Sequence, residues 1–244
     1  MNGLELAGFV LLPCLSIGIS VVTAIVLLAA HRARPRSARS TTAVAPGTVA
    51  EPHPSFLPRP DRWLAVKRRT PAEVQAALGL HHPRSCSWLE GLMGEEQFFI
   101  APPFQGWVVV IGSGLPDPAA DVDGCFRFLL RLSRKLGHVQ FFSANRPVHH
   151  HAWVWAKNGR VVRAYAWAGE TLWIQGSQTP AERDLGLKCF DYADATGRTL
   201  FGRREWVAAN VDKLPLLAAR WGLDPAHLGE CCLGQEHGIA GERS

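Results

Sequence analysis

The chain has 244 residues, 47% of them hydrophobic and 19% charged, with mean hydropathy close to zero. That composition excludes a chain disordered throughout, a collagen and a coiled coil, and leaves room for one large or two small globular domains. The net charge of +5 sits in one place: residues 31–70 carry nine basic groups against Glu51 and Asp61, whereas residues 71–244 carry 17 basic and 18 acidic groups. A folded body so close to neutral argues against a nucleic-acid partner.

Residues 1–5 form a short N-terminal tail, and residues 6–30 contain no charged residue. Twenty-five apolar residues rising about 1.5 Å each can cross a hydrocarbon core of about 30 Å. A cleaved signal peptide would need a basic n-region and a shorter apolar core, and MNGLELAG supplies no basic residue. A single transmembrane helix is therefore expected. Arg32, Arg34, Arg36 and Arg39 follow it and no Lys or Arg precedes it. The positive flank stays inside, so the expected topology is N-terminus out and domain in the cytoplasm, at the inner (cytoplasmic) membrane.

Residues 31–61 are rich in Arg, Pro, Ser and Thr and read as a basic, semi-extended linker. A globular domain is expected over 62–228. Six cysteines, one of them Cys14 within the span, show neither a disulfide framework nor a CxxC pair, which fits free thiols in a reducing compartment.

Within the domain, Thr70-Pro71-Ala72-Glu73 is a capping box that opens a helix ending at Gly79. The same four residue types recur at 179–182, where shared capping chemistry explains them better than a duplication. The strongest helix spans 121–136: Val122, Cys125, Phe126, Leu129, Leu132 and Leu136 share one face, and Gly137 ends it. Two short helices are expected at 203–211 and 213–221. Strands are expected at 96–100, 106–113, 138–143, 151–157, 160–167 and 171–175. Asn158-Gly159 suits a type I′ hairpin turn, which would set Trp155 opposite Val162 and Trp153 opposite Ala164. The expected fold class is α+β: one mainly antiparallel sheet of about six strands, with helices packed on one face. Residues 229–244 read as a flexible tail.

Three groups of residues carry candidate chemistry. His149 and His151 would share a side of an extended strand, and His138 opens an earlier strand, so the three could hold zinc. No HExxH accompanies them, and hydrogen-bonded histidines at a sheet rim are the plainer reading. Trp153 and Trp155 share a strand face, as core packing or as an aromatic contact surface. Arg127 and Arg131, with Arg134 and Lys135, form a basic stripe opposite the apolar face of the long helix, either a solvated face or an anion-facing one. No stretch demands catalysis. The expected function is a membrane-tethered cytoplasmic module that binds or regulates a protein partner, without a cofactor and without nucleic acid. The alternative is a metal-dependent or His-assisted hydrolase centred on His138, His149 and His151.

Overall fold

The computed structural model describes residues 60–93, 96–192, 200–223 and 237–243, with backbone alone for 200–207. The expected span 6–30, the linker up to residue 59, and Cys14, Cys231 and Cys232 lie outside the described residues. Among the described residues no helix is long and apolar enough to cross a membrane.

One antiparallel sheet organises the domain, and the α+β expectation holds. Its strands are β1 (Arg62–Lys67), β2 (Leu80–Cys86), β3 (Phe98–Ile100), β4 (Trp107–Ile111), β5 (His138–Asn145), β6 (His150–Lys157), β7 (Arg160–Trp167), β8 (Thr171–Gln175) and β9 (Gly238–Arg243). Their order across the sheet is β2-β9-β3-β4-β1-β5-β6-β7-β8, and each described pairing is antiparallel. Among the described residues the sheet has nine strands, where about six were expected. Strand β9 corrects the reading of 229–244 as a tail: residues 238–243 lie inside the sheet, paired to β2 on one side and to β3 on the other.

Among the described residues five helices accompany the sheet: α1 (Pro71–Leu78), α2 (Trp88–Leu92), α3 (Val122–Leu136), α4 (Pro180–Asp184) and α5 (Leu200–Arg220). They cover both faces, where one was expected. The reason is visible in β4, whose residues Trp107–Ile111 are all buried. A strand with no polar alternation must be covered on both sides. Trp63, Ala65, Trp107, Val109, Phe142, Trp153 and Tyr165 join one core with Trp88, Leu187, Val211, Leu214 and Leu217. Leu64, Val66, Val108, Val110, Phe141 and Val154 join the other, with Val74 and Leu78 of α1 and Cys125, Leu129 and Leu132 of α3. The first face is rich in tryptophan and carries α2, α4 and α5; the second is mainly aliphatic, with Phe98, Phe128 and Phe141 among its members, and carries α1 and α3.

Local chemistry sets most helix ends. Thr70 caps α1, its hydroxyl accepting from Glu73 N while the Glu73 carboxylate accepts from Thr70 N at 2.8 Å, and Gly79 closes the helix in the left-handed conformation. Thr179 caps α4 through the same reciprocal bonds with Glu182. A third box, Ser87 with Glu90, opens α2. Asp121 caps α3, accepting from Gly124 N at 2.8 Å. Helix α5 is one 21-residue helix that includes Pro215, not two short ones. Burial of Val211, Leu214, Leu217 and Ala218 against the tryptophan-rich face outweighs the single backbone bond the proline removes.

The β6–β7 hairpin forms at Asn158-Gly159 as expected, with Lys157 opposite Arg160 and Ala156 opposite Val161. A register shift then occurs between Trp155 and Ala156, so Trp155 pairs with Arg163 and Trp153 with Tyr165. The expected partners Val162 and Ala164 are each displaced by one residue. Such a bulge inserts one extra residue and re-aims the side chains beyond it, which turns Arg163 onto the tryptophan-rich face.

Candidate functional site

The histidines occupy opposite ends of the β5–β6 ladder. His138 pairs with Lys157 and His151 with Ala144. Six rungs separate them, about 20 Å at roughly 3.3 Å per residue. His149 precedes β6 with φ of 57°, and its carbonyl lies 3.0 Å from His151 Nδ1. The three are not brought together, and among the described residues no three His, Cys, Asp or Glu side chains are placed to hold a metal ion.

Buried His151 and half-buried His138 each have a packing role. The His151 ring is 2% exposed and stacks on Trp153 at 5.7 Å. Its Nδ1–H donates to the His149 carbonyl, which leaves Nε2 to accept from Asn210 Nδ2 at 3.2 Å. Asn210 is held in turn by the Lys188 backbone, accepting from its N at 3.0 Å and donating to its O at 2.7 Å. This chain of bonds ties α5 to the sheet and needs neutral imidazole. Burial drives the His151 pKa down to about 4. His138 stacks on Trp155 at 5.5 Å and meets Trp107 edge-on at 5.2 Å. Its pKa is likewise pushed down to about 4, by burial first and then by Lys67 and Lys157.

Trp153 is fully enclosed, so it is a core residue and not an exposed contact. Its indole Nε1 donates to Glu182 Oε1 at 2.7 Å, and Arg163 Nε donates to the same oxygen at 2.8 Å. The other Glu182 oxygen accepts from Thr179 N at 2.7 Å. Arg163 completes its set through the Gly176 carbonyl at 2.9 Å, the Gln175 carbonyl at 3.3 Å and Cys189 Sγ at 3.0 Å. Both charges are shielded, at 2% and 0% side-chain exposure. Sequence reasoning missed this pair, although an arginine inside the apolar run VVRAYAW was its signal. Burial raises the Cys189 and Cys125 thiols to about 12, so neither is poised as a nucleophile. Trp155 is half-buried; its Nε1, Trp221 Nε1 and Gln140 Oε1 are buried without hydrogen-bond partners among the described residues.

The basic stripe lies on the other face. Arg127, Arg131, Arg134 and Lys135 are exposed on α3, opposite Cys125, Leu129, Leu132 and Leu136. Several bonds fix this helix against its neighbours. Arg69 Nε donates to the Leu136 carbonyl at 3.1 Å, Lys135 Nζ reaches the Ala77 carbonyl at 3.4 Å, and Asn158 N donates to the Gly137 carbonyl at 2.8 Å. Gly159, at φ of 74°, keeps the Arg134 stem close: an added Cβ would stand 3.1 Å from Arg134 Nε.

Between α1 and α3 runs a groove of about 230 Å³. Ala77, Leu78, Phe128 and Leu132 form its apolar lining, and Arg131, Arg134, Lys135 and Arg243 supply four cations around it. No carboxylate among the described residues lies within ion-pair distance of these four. Arg127 stands one turn away, outside the lining. Arg243 was hidden from sequence reasoning by the tail assignment, since only its place on β9 brings it beside Leu80. A second, smaller cleft of about 70 Å³ lies near Asp61, Asp117, Asn145 and His150.

Comparison with protein-family models, with curated proteins and with solved structures gave no match.

Proposed function

We propose that this chain is a membrane-tethered, cytoplasmic module that acts by docking and regulation, and that it docks through the groove between α1 and α3 onto a surface presenting negative charge beside apolar groups. One observation carries the reading: four cations without carboxylate partners among the described residues surround an apolar lining. Fixed cations left unpaired repel one another and favour an anionic partner, whereas the apolar lining rewards contact with more than a free ion. The tether rests on the uncharged stretch 6–30 and its four following arginines.

A hydrolase centred on the histidines has less support. His151 is committed to the Asn210 bridge, and His138 is packed between two indoles about 20 Å away by strand rise.

A photoreactive residue in place of Arg127, beside the groove in the full-length chain in intact cells, tests the docking reading. A discrete adduct, to a lipid or to a protein, is expected that disappears in R131E/R134E. No adduct, or one indifferent to that reversal, would remove the groove as a docking face.

A further inference from the structure

We infer that the occupant of this groove is the anionic phospholipid of the bilayer that tethers the chain, a proposal that rests on the docking reading above. Its chemistry is a phosphate diester held by arginine and lysine, with the glycerol and first acyl carbons against Ala77, Leu78 and Phe128. Charge complementarity, reach and the basic foot of the linker together point to a lipid.

The first is composition. Two of the cations are arginines one turn apart on α3, with Lys135 beside Arg134 and Arg243 arriving from β9. Planar guanidinium forks grip the oxygens of a phosphate in pairs, as they do those of a carboxylate, and the ammonium group adds a point charge, so the set suits a phosphate diester.

The second is reach. Thirty-one residues, 31–61, would span about 95 Å at about 3.1 Å per residue, so the proposed tether would hold the domain within roughly that distance of the bilayer. A weak site suffices when its ligand is held at high effective concentration.

The third is consistency along the chain. Arg32, Arg34, Arg36 and Arg39 carry the same attraction to anionic headgroups at the foot of the linker. Domain docking would then shorten the linker's range, and its release would free the groove and the linker together. That gives the module two states set by membrane charge.

The experiment uses the full-length chain in lipid nanodiscs doped with a photoactivatable phosphatidylglycerol or, separately, a photoactivatable phosphatidylcholine. Adducts are mapped by mass spectrometry, and labelling of the N-terminal peptide serves as an internal reference for lipid contact. Relative to that reference, phosphatidylglycerol is expected to label peptides of α1 and α3 about ten-fold more than phosphatidylcholine, the order a few cation contacts to an anionic surface provide. R131E/R134E should bring the ratio to about one, as should raising the salt until the Debye length falls to about 3 Å. Circular dichroism and thermal melting of R131E/R134E establish that it is folded, and R131Q/R134Q repeats the loss without reversing charge.

Equal labelling by both lipids would overturn the proposal, as would phosphatidylglycerol labelling that survives R131E/R134E. Loss of labelling on adding inorganic phosphate alone, at the lipid's concentration and constant ionic strength, would assign the groove to free phosphate and overturn the lipid. Absence of groove adducts with the reference intact would also overturn it. In that case a crosslink from position 127 to a protein, lost in R131E/R134E, leaves the docking reading standing, and no crosslink removes both.

Discussion

The buried Arg163–Glu182 pair gives the sharpest test of how α4 is held to the sheet. Glu182→Gln removes the charge and replaces an accepting oxygen with a donating amide. With the oxygen kept toward Arg163 and Trp153, the new N–H group faces Thr179 N–H, and the capping bond of α4 is lost. With the opposite flip, two donors face the amide instead. Either way the Arg163 guanidinium stays buried without its counter-charge. Breaking one side of such a pair costs about 3–5 kcal/mol. Against a total stability of about 5–15 kcal/mol, that is a large fraction. Urea unfolding followed by tryptophan fluorescence reads it directly. At a slope of about 2 kcal/mol per molar, the midpoint should fall by about 2 M. Replacing both partners, in R163M/E182M, should cost clearly less than the sum of the two single changes, because no orphan charge remains. The exposed pair Arg220–Asp184, 4.0 Å apart, is the control: Asp184→Asn should leave the midpoint unchanged. A shift below about 0.5 M for Glu182→Gln, or simple additivity in the double variant, would refute this account of the network.

Burial of His151 sets a pH dependence. Its pKa in the fold, about 4, lies below the ordinary 6.5, so between those values the unfolded chain binds a proton that the native domain excludes. Stability is therefore full above pH 6.5 and falls as pH drops toward 4, by up to about 3 kcal/mol from this group; urea midpoints measured across that range should show the slope, and His151→Leu should remove this group's share of it, leaving that of His138, whose pKa is also lowered to about 4, while lowering stability throughout. Gly91→Ala should destabilise by about 1–3 kcal/mol in thermal melting, because an added Cβ would lie 2.3 Å from the Phe99 ring and force α2 off β3. Deleting residues 237–244 should abolish cooperative unfolding, since β9 joins β2 to β3; a deletion that left the melting profile intact would restore the tail reading.

What the sequence revealed and what it hid divide along physical lines. Signals that act within a few residues were legible: the boxes at Thr70 and Thr179, the apolar stripe of α3 ended by Gly137, and the Asn158-Gly159 turn. Elements decided by distant partners were not. Strand β2 reads LHHPRSC, with five exposed residues between its buried ends, and is a strand only because β9 pairs with it. β9 itself, GIAGER, has too little side chain to declare a pattern, and its buried Gly238 and Gly241 fit where neighbouring backbone comes close. The shift between Trp155 and Ala156 left no mark in composition, yet it decides that Arg163 meets Glu182. The Ser87–Glu90 box was readable and passed over, because only five residues of helix follow it.

The candidate site was half legible for the same reason. Arg127, Arg131, Arg134 and Lys135 declare a basic helix face through their spacing alone. The groove needs α1 and β9 alongside, and no local pattern announces either neighbour. Trp153 drew attention as a contact residue because an indole on a strand looks alike whether it faces solvent or core. Its bond to Glu182 settles it as core.

The proposed tether and groove place the domain on the cytoplasmic side, and protease accessibility tests that topology most directly. Protease added to intact cells should leave the domain whole, and protease added to inverted membrane vesicles should cut within residues 31–61. Cleavage in intact cells with protection in inverted vesicles would contradict the tethered, cytoplasmic topology.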